Sequence, residues 1–227
     1  MTDSYIDVSL VYDRVSESIF QQILNILEIN DVDYFEKSSD LAKLRGDLIG
    51  CLLNIRSEYE HRLVYGGNII TLTIYCNELC SEIGPRVFNK TIEVVSSIYE
   101  ATLPKYVFGM HEWRMNNIES GGGTEEYQFP SPVSESGLEN DRINHPSWLM
   151  LFPPEMVEEY GREWILNLPI ERVEELGDGA ILMVATEAFI GPDALDRPDL
   201  HVDPDTAVFQ IIDNAMGPVE AAFDGVI

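Results

Sequence analysis

The run WLMLFPPEMVEEYG at residues 148–161, followed after a short spacer by VEELGDGAILMV at 173–184, decides how this chain must fold. Trp148 to Phe152 is an uninterrupted apolar segment of strand length. Pro153 and Pro154 set the backbone for a helix start, where no ladder N–H is lost, and Glu155 suits the positive end of that helix. Met156, Val157 and Tyr160 give the helix an apolar face, and Gly161 ends it. Ile170 to Leu176 and Ala180 to Glu187 then pair across Gly177-Asp178-Gly179. In the second of these strands both alternating sets, Ile181/Met183/Ala185 and Leu182/Val184, are apolar, so it is expected to be central and covered on both faces.

Towards the N-terminus, Tyr5 to Tyr12 alternates Ile6, Val8, Leu10 and Tyr12 against Asp7 and Ser9, the pattern of a half-buried strand. Asp13 can cap the helix that follows, whose apolar residues Ile19, Phe20, Ile23, Leu24, Ile26 and Leu27 recur at helical spacing. Residues 31–56 are ambiguous. Val32 to Phe35 suggests a short strand, Leu41 and Leu44 fit a helix interrupted by Gly46 and Gly50, and Leu48 to Ile55 leans towards a strand. Two β-rich runs within Arg62 to Tyr75 flank Gly66-Gly67 and predict a hairpin. From about Glu82 to Ala101, Phe88, Thr91, Ile92, Val95, Ile98 and Tyr99 make an amphipathic helix with Pro85 in its first turn and Pro104 beyond its end. Tyr106 to His111 is another strand.

The fold class that results is α+β. It is an antiparallel sheet with helices on one face, in ferredoxin-like order over residues 1–115, joined to a C-terminal αβ unit at 147–216. Between them, 116–146 holds Gly121-Gly122-Gly123, Pro130, Pro132 and many serines and glutamates, and reads as a mobile acidic linker. Ala207 to Met216 makes a last short helix, and 217–227 is expected to fray.

Forty acidic residues stand against fourteen basic ones, a formal net charge of −26, and only Lys37, Lys43, Lys90 and Lys105 are lysines. So negative a field repels phosphate backbones and anionic lipid, which argues against a nucleic-acid or membrane-surface partner. The same charge fits a surface adapted to concentrated salt, an acidic face for a basic partner, or a plain solubility surface. No apolar run is long enough for a membrane span and no leader pattern opens the chain, so a cytoplasmic protein is expected.

No constellation declares a reaction. The histidines His61, His111, His145 and His201 form no metal-binding pattern, and Cys51, Cys76 and Cys80 read as buried free thiols. The acidic residues Asp193, Asp196, Asp199, Asp203 and Asp205 lack the order of a calcium loop, so neither a metal nor a cofactor is expected. The turn Gly121-Gly122-Gly123 lacks the Lys-Ser/Thr of a phosphate loop. Glu155, Glu158, Glu159 and Glu163 lie along one short helix with like charges four apart. A solvated face accounts for them; as a binding surface they would act with Glu171, Glu174 and Glu175. His111 and Trp113, with Glu112 between them, are the one cluster with an acid–base look, against the plainer reading of a strand-end histidine beside a structural tryptophan.

The quoted runs, a strand, a helix ending in Gly161 and a hairpin through Gly177-Asp178-Gly179, resemble the C-terminal part of immunity proteins from bacterial polymorphic-toxin and type VI secretion systems. The acid-rich, lysine-poor composition looks like that of haloarchaeal proteins. The resemblance implies a non-enzymatic module that sequesters a protein partner, a toxin, and it implies no catalytic residue. The rival readings are a small-ligand-binding protein or enzyme with a pocket near His111, Glu112 and Trp113, and a salt-adapted domain of unknown role.

Overall fold

The computed structural model describes residues 5–30, 32–37, 41–46, 50–56, 69–111, 131–194 and 204–226. In chain order these form β1 (Tyr5–Val11), α1 (Glu17–Ile29), β2 (Val32–Lys37), β3 (Leu41–Gly46), β4 (Gly50–Arg56) and β5 (Ile69–Tyr75). They continue as α2 (Cys76–Leu79), α3 (Gly84–Thr102), β6 (Tyr106–His111), α4 (Glu135–Glu139), β7 (Leu149–Phe152), α5 (Pro154–Tyr160) and α6 (Arg162–Leu166). The last are β8 (Arg172–Glu175), β9 (Ile181–Val184), a 3-10 turn at Pro192–Ala194, and α7 (Pro204–Phe223).

The nine strands of the described residues join one antiparallel sheet in the order β2-β3-β4-β5-β1-β6-β7-β9-β8. Within it, β4-β5-β1-β6 with α1 and α3 is the ferredoxin-like arrangement; β2 and β3 extend it on one side, and β7, β9 and β8 on the other. The fold is therefore α+β, and β9 is fully buried between β7 and β8.

Strand alternation and register sort the sheet into two faces. Ile6, Val8, Leu10, Ile70, Leu72, Ile74, Val107, Leu149 and Leu151 share one face. Arg172 belongs to it by register and reaches Asn89 and Phe88 of α3, so this is the face that α3 and its neighbour α1 cover. The opposite face carries Asp7, Ser9, Thr71, Thr73, Tyr106, Phe108, Met150 and Phe152. There Phe152 meets Tyr106, Tyr160 and Phe223, and Trp164 packs edge-on to Phe223 at 4.9 Å between centroids, so α5, α6 and the end of α7 cover the second face.

That second layer corrects several expectations. β1 is buried on both faces rather than half-buried, and its polar residues bond to β5: Thr73 donates to Asp7 Oδ1 at 2.5 Å, and the Ser9 and Thr71 hydroxyls lie 3.3 Å apart. Helix α1 is capped by Ser16, which accepts from the Ile19 N–H at 3.2 Å, while Asp13 pairs with Lys105 at 2.7 Å. Leu41–Gly46 is a strand, not a helix; six residues paired on both sides gain two ladders, whereas an isolated helix so short barely nucleates. The turn at Gly66-Gly67 lies outside the described residues, and β5 pairs with β4 and β1.

Of residues 116–146, read from composition as a mobile acidic linker, 116–130 lie outside the described residues, while 131–146 pack. Val133, Leu138 and Ile143 are buried, and Ser134 caps α4 by accepting from the Gly137 N–H. Their five-residue spacing fits neither the helical nor the strand period, which hid them. The tail from Gly217, expected to fray, continues α7 to Phe223, with Met216, Val219 and Phe223 buried. Pro218 is exposed, and the apolar stripe beneath it holds the helix together where the Gly-Pro pair reads as a stop. Among the described residues no helix is long and apolar enough to cross a membrane.

Candidate functional site

The candidate acidic residues stand on α5, α6 and β8; by register Glu175 faces the α5–α6 side, where Arg162 meets it, whereas Glu174 lies with Arg172 on the α3 side of the sheet. Pro153 and Pro154 start α5 and place Glu155 in its first turn; Met156, Val157 and Tyr160 turn inward, leaving Glu155, Glu158 and Glu159 exposed. Gly161, at φ 86°, then breaks the helix, because its backbone lies where an L side chain is strained. Glu163 therefore stands on α6, not one turn further along the helix of Glu159, and the four glutamates do not share one helical face.

The carboxylates are unequally neutralised. Arg142 binds Glu159 through Nε at 2.8 Å and Nη2 at 2.5 Å. Arg162 pairs with Glu175 across the second face. Arg172 holds Glu174 at 2.5 Å and Glu187 at 3.1 Å, donates to Asn89 Oδ1 at 2.8 Å, and lies 5.4 Å above the Phe88 ring. Partial burial works against the Arg172 charge, and Glu174 and Glu187 more than offset it, so its pKa is raised. Glu171 is occupied differently, accepting the Glu187 backbone N–H at 2.6 Å. Glu155, Glu158 and Glu163 remain exposed with no cationic partner among the described residues.

Beside this surface the Tyr99 hydroxyl donates to Asp178 Oδ2 at 2.9 Å, tying the end of α3 to the β8–β9 turn. Burial first, then the negative charges of Asp178 and Glu155, push the phenol far above its ordinary value, so it is a fixed donor.

His111 is elsewhere. It is 3 % exposed at the end of β6, its ring 5.8 Å from that of Phe209, and burial lowers its pKa from 6.5 to about 4. A buried neutral imidazole does not belong to the acidic surface, and Glu112 and Trp113 lie outside the described residues. Because the folded-state value is the lower one, the unfolded chain takes up the extra proton between pH 6.5 and about 4, and stability falls as pH drops through that window. His111→Gln should flatten the pH dependence of urea unfolding there, with up to about 3 kcal/mol separating the two curves; superimposable curves would contradict it.

Cys76 and Cys80 are buried thiols outside any disulfide, and the Cys80 thiol donates to the Phe189 carbonyl at 3.4 Å; Cys51 lies in β4. Asp193 falls in the 3-10 turn, Asp205 is the second residue of α7, and Asp196, Asp199 and Asp203 lie outside the described residues. Among the described residues no three His, Cys, Asp or Glu side chains gather to hold a metal. No local sequence pattern marks the arginines that select which glutamates they neutralise, since Arg142 lies 17 residues from Glu159 and Arg162 lies 13 from Glu175.

These features define an α+β protein of net charge −26 whose described residues include a partly neutralised set of carboxylates. No family model and no curated protein sequence matches the chain. Among solved structures, a T6SS protein of Pseudomonas aeruginosa is similar over 96 % of this chain and 73 % of its own length, at 12 % identity and a TM-score of 0.38. At that distance the fold assignment rests on the strand pairing alone.

Proposed function

We propose that this protein is a non-enzymatic binding module, an immunity-type antitoxin that sequesters a basic protein partner, a toxin, against the surface of α5, α6 and β8. In this reading it works in the cytoplasm without a cofactor. The observation that supports it is the contrast between Glu159, Glu174 and Glu175, each held by an arginine, and Glu155, Glu158 and Glu163, exposed with no arginine or lysine partner among the described residues. Structural ion pairs explain the first set, whereas the second adds self-repulsion to a chain of net charge −26 that a basic partner would relieve.

The test pairs the protein with the product of the neighbouring reading frame. Wild type should bind it, with affinity falling steeply between 0.15 and 0.5 M salt. Glu155→Gln/Glu158→Gln/Glu163→Gln should bind about ten-fold more weakly or worse and lose much of that salt dependence. Absence of a complex with wild type, or unchanged affinity in the triple variant, contradicts the proposal.

A further inference from the structure

Strand β8 ends the nine-stranded sheet: β9 lies on one side, and among the described residues no strand lies on the other. Leu176 N–H donates to the Ala180 carbonyl at 2.8 Å, so by antiparallel alternation Glu174 and Arg172 also turn their backbone groups towards β9. Val173 and Glu175 consequently direct their N–H and C=O off the sheet, where no backbone bond from the described residues meets them. Val173 is half-buried and Glu175 exposed, so solvent reaches this edge.

Natural sheets guard such edges with charge, and the charges here say what the guard admits. Glu171, Glu174, Glu175, Asp178 and Glu187 surround the edge against Arg162 and Arg172, so after the ion pairs are counted five acids less two arginines leave an excess of three negative charges. A second copy of the chain would bring another net charge of −26 to it. An extended segment bearing lysine or arginine brings the opposite charge, and a strand supplies the missing donors and acceptors.

We propose that the partner docks by adding a basic strand to the β8 edge, pairing with the outward backbone groups of Val173 and Glu175. This rests on the reading of the acidic surface as a partner-binding face and names the chemistry that face would recognise.

The probe is a fluorescein-labelled decapeptide of alternating lysine and valine, compared at 0.15 M salt with the same peptide N-methylated on alternate residues, which keeps the charge and removes strand donors. The alternating peptide should bind wild type and slow amide hydrogen exchange at Val173 and Glu175 at least ten-fold. The N-methylated peptide should bind at least ten-fold more weakly, and Val173→Pro, which deletes the outward N–H alone, should weaken the unmodified peptide similarly. If Val173→Pro fails to fold, the exchange measurement on wild type decides. Equal binding of both peptides with no protection at these amides overturns strand addition while leaving the acidic-face reading standing. No binding of either peptide overturns strand addition outright, and the triple-glutamine experiment then judges the acidic face separately.

Discussion

Gly84→Ala is expected to lower the unfolding free energy by about 3–4 kcal/mol, near the top of what one added methyl can do. A Cβ at Gly84 would stand 1.9 Å from the Leu79 carbonyl oxygen and 2.8 Å from its carbon. Both atoms are backbone, so no side-chain rotation makes room. That oxygen also accepts the Gly191 N–H at 2.8 Å, and Gly191 N itself would lie 3.0 Å from the new methyl. Admitting it would push α2 away from α3 and break the bond that ties the loop after β9 to both. Urea unfolding at fixed high salt gives the measurement. Gly217→Ala is the control: it is exposed in α7 with nothing within 4 Å of its Cβ position, and should raise stability by about 1 kcal/mol or less through helix propensity. Similar stability of Gly84→Ala and wild type would show that α2 and α3 do not approach this closely.

Trp148→Ala should cost about 3–5 kcal/mol. The indole packs between Phe88 of α3 and Phe189 after β9, with centroids 6.2 and 5.2 Å away, and lies against the space above Gly109. Its Nε1–H donates to the buried Thr186 carbonyl at 2.8 Å. Truncation therefore leaves a cavity between helix layer and sheet together with an unpaired carbonyl. Trp148→Phe separates the two losses: most of the apolar volume stays, the donor goes, and a cost of about 1–3 kcal/mol is expected. If the phenylalanine variant were as unstable as the alanine one, the hydrogen bond rather than the packing would be the principal contribution.

Legibility followed the range of the interactions. The Pro153-Pro154 start, the Gly161 break and the Gly177-Asp178-Gly179 turn each depend on backbone preferences of two or three adjacent residues, and all stand where the residues place them. The α3 stripe was equally plain, because one face of nineteen residues packs against a single layer. The candidate site was legible only as a list of carboxylates. Seven glutamates look alike in the chain; which are spent on Arg142, Arg162 and Arg172, and which stay exposed, depends on pairings made through space.

By itself, then, the amino-acid order determined the class: alternation made strands, helical spacing made α1 and α3, and together they demanded a layered α+β protein. Only the tertiary structure decided that the sheet is covered on both faces. Burial is a property of what lies opposite, so Asp7 and Ser9, polar and expected in solvent, are enclosed, and Val133, Leu138, Ile143 and the end of α7 become part of the core. The same holds for charge, since a carboxylate's freedom to meet a partner is set by the guanidinium that folding does or does not bring beside it.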